Sequence, residues 1–367
     1  MEHLQGKGSM EPYGHWEGRP LHGGGGAKEG VRFDLSESTS PLGPPWRVLR
    51  VLESAKELIG RYPSPYPGQL AQALAGAYGV PLECIVVGPG SADLIYRLFA
   101  FLAPKKTLVV SPNFGEYSYV AERFGKEPPL AFPLLAEQGF ALDFQRLLGA
   151  AGGVECVVFT HPNNPTGTPV DEEGLERFLE ALPASALPPW VVVDEAFVDF
   201  CPEASVTGLL GRFSNLVILR SFTKFYAIPG LRVGALLGSA RLVHELKALM
   251  PPWPMNAIAI EAVLAALEDF DYPFRVRAFT EWMRGLYQGV LGAIPGVVVT
   301  PSRANYLLLE IPAVQGRLDA FEATLRTEGV RVRTRLWGLG ERFVRVAIKG
   351  PDALGALAAG LDRFFKA

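Results

Sequence analysis

Cysteine is scarce in this sequence: only Cys84, Cys156 and Cys201 occur among 367 residues, and no C-x-x-C pair is present. An odd, scattered set excludes a disulfide framework and is typical of a reduced protein, in which each cysteine is a small core residue. We therefore expect a cytoplasmic location. The three cysteines are also not spaced like the ligands of a metal centre, so we expect no metal.

Long apolar runs and blocks of like charge are also missing. No apolar run approaches the roughly 18 residues that a membrane-spanning helix requires. The first ten residues, MEHLQGKGSM, lack the apolar core of a secretory signal. Charges of both signs are interspersed, with a net charge of −3. Without a basic stripe, binding to nucleic acid or to an anionic membrane surface is not expected.

Hydrophobic residues make up 49% of the chain, which is enough for a large core. The stretch before about Arg32 is rich in glycine and polar residues, and we expect residues 1–32 to form a mobile arm. After it, the apolar runs TLVVSP, ECVVFTHP, WVVVDE and NLVILRS alternate with helical periods. Uninterrupted β-branched runs indicate strands that are buried on both faces. An α/β fold is therefore predicted, with a mostly parallel sheet flanked by helices.

The pattern changes after MPPWP, near Trp253. Two long helical segments follow, and then short strands and further helices, which indicates a second unit of α+β type. The length of the chain also suits two domains. We predict a large domain at 33–253 and a small C-terminal domain at 254–367.

Several polar residues follow directly after predicted strands, at the edge where ligands collect in open α/β sheets. GPGSAD comes after the run IVV, and its glycines would let an anion approach the free amides of Ser91 and Ala92 at a helix N-terminus. A tight turn with Ser91 as the helix cap explains the same letters equally well. Asn164 lies in HPNNPTG, which is either a structural turn or a means of fixing a hydrogen-bond donor at a strand end.

Two charged residues stand at the ends of buried runs. Asp194 ends VVVD, where a carboxylate is costly unless it meets a cation, and Lys224 follows the next strand in RSFTKFYAIPGLR. Desolvation lowers the pKa of a lysine and makes its amine a nucleophile that can form a Schiff base with an aldehyde. Ser221, Thr223 and Arg232 beside it could bind a phosphate. An aldehyde, a phosphate and a ring nitrogen with an acidic partner together describe pyridoxal phosphate.

The ordered set of motifs resembles the fold type I pyridoxal-phosphate enzymes, specifically the class I/II aminotransferase superfamily, from about Asp34 to the C-terminus. The resemblance implies a large cofactor-binding domain, with Lys224 as the lysine that bonds the cofactor and Asp194 as the partner of its ring nitrogen. It implies that Asn164 donates to the cofactor's 3-hydroxyl. It also implies that Phe114, in SPNFGEY, stacks on the ring, although Tyr117 in the same motif is a second choice for that role.

The resemblance extends to groups that bind phosphate and carboxylate. Tyr62 resembles the tyrosine that reaches the cofactor phosphate of the neighbouring subunit, so a homodimer with an isologous interface is expected. Arg345, in RFVRVAI, matches the arginine that grips the α-carboxylate of the amino-acid substrate through two hydrogen bonds. The residues that match the phosphate cradle are Ser91, Ala92, Ser221, Thr223 and Arg232.

Two branches of the superfamily are similar to this sequence. The stretches RSFTKFYAIPGLR, DEAFVDF and SPLGPP resemble threonine-phosphate decarboxylases of cobalamin synthesis, which are lyases. Histidinol-phosphate aminotransferases share the architecture and remain the alternative. Phe197 favours the decarboxylases, because the aminotransferases usually carry tyrosine there. The decarboxylase motif HGGN is HGGGG here, from His22, and their asparagine-rich stretch before PLG is SESTS.

A phosphorylated substrate would need cations in addition to Arg345, because one arginine cannot neutralise two anionic groups in a partly desolvated site. Arg333, Arg335 and His22 are the candidates. On an extended strand Arg333 and Arg335 would point to the same face and could share one anion. Solvated strand-end charges are the alternative. A non-catalytic module on the same fold is disfavoured, because the full set of expected cofactor residues is present.

Overall fold

The computed structural model describes residues 30–183 and 188–367. Most of the predicted arm, including His22, therefore lies outside the described residues. In the described part of the chain no helix is both long and apolar enough to cross a membrane. The strands are β1 (Phe33–Asp34), β2 (Ile85–Gly88), β3 (Thr107–Ser111), β4 (Leu130–Pro133), β5 (Cys156–Thr160), β6 (Trp190–Asp194), β7 (Leu216–Ser221), β8 (Gly234–Leu237), β9 (Val298–Val299), β10 (Tyr306–Glu310), β11 (Val330–Arg331) and β12 (Phe343–Ala347).

The helices pack around these strands. They are α1 (Trp46–Glu53), α2 (Ala55–Ile59), α3 (Gly68–Tyr78), α4 (Ser91–Leu102), α5 (Glu116–Phe124), α6 (Phe144–Ala150), α7 (Glu172–Ala181), α8 (Phe222–Phe225), α9 (Ala240–Ala248), α10 (Ala257–Leu267), α11 (Asp271–Gly292), α12 (Leu318–Thr327) and α13 (Pro351–Lys366).

Seven strands form the central sheet, in the order β2-β8-β7-β6-β5-β3-β4. Strand β8 is antiparallel to both of its neighbours, and the other adjacent strands run parallel. Helices cover both faces, so strand residues such as Val191, Val192 and Val193 are completely buried. This burial explains the uninterrupted apolar runs of the sequence. The predicted mostly parallel sheet flanked by helices is confirmed.

The register of the sheet brings the predicted motifs to one edge. Thr160 at the end of β5 lies opposite Asp194 at the end of β6, which in turn lies opposite Leu219 in β7. Because these strands are parallel, the turns that follow them leave the sheet on the same side. Helices α4 and α5 begin at that side after β2 and β3, so segments far apart in sequence meet there.

A second, smaller core is built from the C-terminal elements and a short N-terminal segment. Strands β9, β10 and β12 form an antiparallel sheet, and β1 pairs in parallel with β11. Helix α11 joins the two cores, with Val276 in the larger one and Met283 in the smaller one. The division near Trp253 stays a prediction. Val263 in α10, which follows it, packs in the larger core, and Leu35 packs in the smaller one.

A buried ion network ties β7 to the turn after β6, directly behind this edge of the sheet. The Arg220 guanidinium donates to Glu195 Oε2 at 2.7 Å and to Asp199 Oδ1 at 2.5 Å, and it lies 4.5 Å from the centre of the Tyr78 ring. The side chain of Arg220 is 5% exposed and that of Glu195 is fully buried. Loss of Arg220 would leave the buried Glu195 without a cation inside the protein.

We predict that Arg220→Leu lowers the free energy of unfolding by about 3–5 kcal/mol, because it leaves Glu195 as an unpaired buried charge. The matched control is Arg212→Leu. Arg212 also pairs with two carboxylates, those of Glu176 and Glu180, but on the surface, so its loss should cost less than about 1 kcal/mol. Urea denaturation of both variants measures the difference. Equal losses would show that burial does not strengthen the Arg220 network.

Candidate active site

A cavity of about 580 Å³ opens where the carboxyl ends of the central strands face the smaller core. The turns after five strands of the central sheet reach it, and so do the segment after β1 and the strand β12. The predicted site residues that line it are Ser91, Ala92, Phe114, Asn164, Asp194, Ser221, Lys224, Arg232, Arg333 and Arg345. The structure therefore brings together residues that span more than 250 positions of the sequence.

Lys224 lies in the short helix α8, immediately after β7. Its amine donates to Thr223 Oγ1 at 3.1 Å, and that hydroxyl is 2.8 Å from Ser221 Oγ. Desolvation, together with the positive charges of Arg232 and Arg345, lowers the pKa of Lys224 to about 8. A substantial fraction of the amine is then neutral near physiological pH, which is the state that attacks an aldehyde.

Asp194 is 6% exposed at the end of β6, and its Oδ1 accepts the amide hydrogen of Ala196 at 2.9 Å. Burial raises the pKa of Asp194 to about 6, against the opposing effects of the Tyr117 hydroxyl, the Ala196 amide and the charge of Lys224. Within the described residues Asp194 forms no ion pair. A buried carboxylate of this kind suits a ligand that brings its own positive charge, such as a protonated ring nitrogen.

The start of α4 forms an anion cradle. Gly90 precedes the helix with φ +95°, and no side chain caps the first turn, so the cap role considered for Ser91 is wrong. A Cβ at Gly90 would lie 2.7 Å from Arg232 Nη2, and one at Gly234 would lie 2.3 Å from Ser91 N. Glycine at both positions therefore lets Arg232 and β8 approach the free amides of the helix. This arrangement fits a phosphate group.

Asn164 and Arg345 meet across the cavity. Arg345 Nη1 donates to Asn164 Oδ1 at 2.7 Å, and Nη2 donates to the carbonyl oxygen of Ser36 at 2.9 Å. Because an arginine can only donate, the amide oxygen of Asn164 must face it, and the amide hydrogens stay available as donors. Arg345 Nε is buried and has no partner in the described structure, so the guanidinium keeps a free donor.

Arg333 and Arg345 are direct cross-strand neighbours. Each donates its backbone amide hydrogen to the other's carbonyl oxygen, at 3.0 and 2.9 Å. Opposite residues of an antiparallel pair project to the same face, with Cα atoms about 5.5 Å apart. Burial, with the charges of Arg345 and Arg331, lowers the pKa of Arg333 to about 10. Two arginines therefore line the same cavity wall.

The expectation that Arg335 lies beside Arg333 on an extended strand is wrong. Arg335 has a φ of +49°, so the extended backbone ends before it. Its guanidinium donates to Asp319 at 2.8 Å and to Glu322 at 2.5 Å, both in α12. Arg335 lies at the cavity rim, but these carboxylates already neutralise it.

Two predicted residues are not in the cavity of this chain. Tyr62 is 85% exposed, and its ring centre lies 5.1 Å from that of Trp253. Thr223 does not line the cavity, although it contacts Lys224. His22 lies outside the described residues.

The structure adds cavity residues that sequence reasoning did not assign: Glu37, Glu116 and Trp337. Glu37 lies in SESTS, Glu116 lies in SPNFGEY, and Trp337 follows Arg335 by two residues. Their types and positions did not show which way their side chains point. Trp337 Nε1 donates to Ser118 Oγ at 3.1 Å and so links the loop before β12 to α5.

In protein freed of any pyridoxal phosphate, we predict that a reagent selective for neutral amines labels Lys224 with a midpoint near pH 8. The rate should rise with pH, because the lowered pKa means that the amine loses its proton as pH passes through about 8. Asp194→Asn should lower the midpoint, and Arg232→Gln should raise it. The control Arg241→Gln, on the exposed face of α9, should leave it unchanged. Mass spectrometry of the labelled peptide gives the rates, and a midpoint above pH 10 would contradict the account.

Comparison with known proteins agrees with this geometry. The family model "Aminotransferase class I and II" matches residues 33–358. Threonine-phosphate decarboxylase of Salmonella typhimurium is 32% identical over 336 residues, which cover 90% of each protein. Histidinol-phosphate aminotransferase of Symbiobacterium thermophilum is 34% identical over 325 residues, which cover 87% of this chain and 86% of that protein.

Solved structures share the fold. Histidinol-phosphate aminotransferase of Sinorhizobium meliloti, in complex with pyridoxal-5'-phosphate, superposes with a TM-score of 0.83 at 22% identity, covering 92% of this chain and 91% of that one. L-threonine-O-3-phosphate decarboxylase of Porphyromonas gingivalis gives a TM-score of 0.79 at 23% identity, covering 91% and 100%. The predicted fold class and cofactor are confirmed. The chain belongs to the class I and II aminotransferase family of fold type I and is a pyridoxal-phosphate-dependent enzyme.

Proposed function

We propose that the protein is a lyase that removes the carboxylate of a phosphorylated amino acid, similar to the relatives named threonine-phosphate decarboxylase. The observation that carries this proposal is the cross-strand pair of Arg333 and Arg345 in the cavity wall. Like charges directly opposite each other destabilise an antiparallel pair. A substrate that brings two anionic groups offsets that repulsion.

The two arginines would divide the substrate's anions between them. Arg345 lines the cavity and is held in place by Asn164 and by the Ser36 carbonyl, so we assign it to the α-carboxylate. Guanidinium geometry suits a carboxylate, which can accept two parallel hydrogen bonds. Arg333 faces the same wall, and we assign it to the phosphate.

The same cavity contains the residues that fit the cofactor. When bound, pyridoxal phosphate supplies an electron sink for the charge that develops at the substrate's Cα. We assign the amine of Lys224 to its aldehyde, Asp194 to its ring nitrogen, Asn164 to its 3-hydroxyl and Phe114 to its ring face. For its phosphate we assign Ser91, Ala92, Ser221 and Arg232, and Thr223 supports them through the 2.8 Å contact between its Oγ1 and Ser221 Oγ.

We assign Lys224 a second role, in proton transfer at the substrate's Cα. Its Nζ can deliver a proton to Cα or remove one, and a pKa near 8 suits proton transfer at neutral pH. Phe197 lines the cavity and forms a T-shaped pair with the ring of Tyr306, with 4.9 Å between the ring centres. It offers no hydroxyl at the position where the aminotransferase branch usually has one, which supports the decarboxylase branch.

The alternative is a histidinol-phosphate aminotransferase, and the relative from Symbiobacterium thermophilum supports it, because its identity of 34% is as high as that of the decarboxylase. Both reactions use a phosphorylated substrate and the same cofactor residues. They differ in which bond to Cα breaks. In the decarboxylase Lys224 returns a proton to Cα, whereas in the aminotransferase it first removes one.

We also propose that the enzyme is a cytoplasmic homodimer. Cys84, Cys156 and Cys201 are free, which supports a reducing compartment. Tyr62 packs against Trp253 at the surface with the two rings tilted by 43°, and both rings are exposed in the single chain. This exposure supports an isologous contact at which Tyr62 reaches the partner's cavity.

A single assay separates the proposal from its alternative. The holoenzyme is incubated with O-phospho-L-threonine, and separately with histidinol phosphate plus 2-oxoglutarate. The proposal predicts release of carbon dioxide in the first reaction. Formation of glutamate in the second, without carbon dioxide in the first, would establish the aminotransferase. If neither product forms, both the proposal and its alternative are contradicted.

We predict that Arg333→Ala raises the KM for O-phospho-L-threonine by about 10- to 100-fold, the loss expected for one charge-assisted contact, and hardly changes the KM for L-threonine. The control is Arg335→Ala, because Arg335 is already neutralised by α12 and should affect neither substrate strongly. Equal effects of Arg333→Ala on both substrates would contradict the assignment to phosphate. A preference of the wild type for L-threonine would do the same.

For the dimer, light scattering should give twice the mass of one chain. Tyr62→Phe keeps the ring on Trp253 but removes the hydroxyl, so it should weaken cofactor retention by about tenfold, as for one lost hydrogen bond to a charged group. Tyr66→Phe, on the same exposed loop, is the matched control. A monomer that stays fully active at nanomolar concentration would refute the shared site.

A further inference from the structure

One wall of the cavity is the segment 36–40, and the smaller core holds it by its backbone. Arg345 Nη2 donates to the carbonyl oxygen of Ser36 at 2.9 Å, and Asn305 Nδ2 donates to that of Ser38 at 2.9 Å. Both acceptors are main-chain atoms. At these two residues the path of the segment is therefore fixed through its backbone.

Two further contacts fix the end of the segment. The amine of Lys349 donates to the carbonyl oxygen and to Oγ1 of Thr39, both at 2.9 Å, and the amide of Ser40 donates to the carbonyl oxygen of Lys224 at 2.8 Å. The wall is thus attached directly to the residue that bonds the cofactor. A side chain on this wall keeps a defined position relative to the reacting centre.

Glu37 is the charged side chain on this wall, where it is half-buried and lines the cavity. Its negative charge acts on two amines: desolvation lowers the pKa values of Lys224 and Lys349, and Glu37 opposes that effect at both. Next to it, Ser38 Oγ is buried and has no hydrogen-bond partner in the described structure. The wall therefore presents polar groups that the fold itself does not use.

Glu37 differs from the other carboxylates that line the cavity. Asp194 accepts the amide hydrogen of Ala196, and Glu116 accepts the hydroxyl hydrogen of Tyr96 at 2.6 Å. Among the described residues no donor reaches the carboxylate of Glu37. An N–H or O–H group of a ligand can donate to this carboxylate, and hydrogen bonds to a charged group are among the stronger ones.

We propose that Glu37 determines substrate specificity by accepting a hydrogen bond from an N–H or O–H group on the substrate's side chain. This inference rests on the proposed function, because it assumes that an amino acid occupies the cavity. The preferred substrate then carries an anionic group toward Arg333 and a hydrogen-bond donor toward Glu37. A side chain that is anionic without a donor is repelled at this wall.

The test uses L-glutamine and L-glutamate, which have the same size but differ in whether the side chain ends in a donor or an anion. Their dissociation constants are measured on the holoenzyme from the change in cofactor absorbance, without turnover. For the wild type we expect L-glutamine to bind more tightly by about 10- to 100-fold, as for one charge-assisted hydrogen bond. In Glu37→Gln and Glu37→Ala the ratio should fall to within about threefold of unity.

A second probe gives an effect of opposite sign. Glu37→Gln should improve the binding of O-phospho-L-threonine, because it removes repulsion of the phosphate without changing the size of the side chain. The control is Glu122→Gln, which also removes one negative charge but lies on the exposed face of α5. It should change neither the glutamine-to-glutamate ratio nor the binding of O-phospho-L-threonine.

The outcomes separate this inference from the proposed function. If wild-type holoenzyme responds to amino acids but the ratio is the same in Glu37→Gln, this inference is overturned and the proposed function stands. If Glu37→Gln lowers only the thermal unfolding temperature, Glu37 serves the stability of the wall, and the inference is again overturned. If the holoenzyme responds to no amino acid, both fail.

Discussion

The rest of the site depends on the desolvation of the Lys224 amine. Lys224 lies at the end of a fully buried strand, and the neighbouring Arg232 and Arg345 add to the cost of its positive charge. The amine responds by releasing its proton more easily, which makes it a nucleophile. Asp194, buried at the end of the neighbouring strand β6, opposes the lowering of the Lys224 pKa and has no ion pair in the described residues. The sheet holds both groups at one edge, and neither is neutralised by the fold alone.

Further positive charges lie near Lys224, on strands of the smaller core. Arg333 and Arg345 stand opposite each other on paired strands, and like charges in that arrangement weaken the pairing. Buried ion networks that serve stability look different: Arg220 is matched by Glu195 and Asp199 without any ligand. The proposed function assigns Arg333, Arg345 and Asp194 in the cavity to a phosphate, a carboxylate and a ring nitrogen. The Arg220 network stabilises the fold, whereas we propose that the cavity residues bind a ligand.

The sequence predicted the sheet, and it indicated which residues would gather at one edge, because each motif follows directly after a strand and parallel strands end together. It could not place side chains on irregular segments. Arg335 was expected beside Arg333, but a left-handed backbone turns it toward α12. Glu37 was visible only as a departure in SESTS, since its orientation depends on contacts that Asn305 and Lys349 make from more than 260 residues away.

The central claim is that Lys224 bonds the cofactor. Purified holoenzyme should be yellow, and sodium borohydride should bleach it while fixing the cofactor to the protein. Proteolysis and mass spectrometry then locate the added mass. The account predicts that it lies on the peptide that contains Lys224. Modification of a different lysine, or none in protein saturated with pyridoxal phosphate, would contradict it.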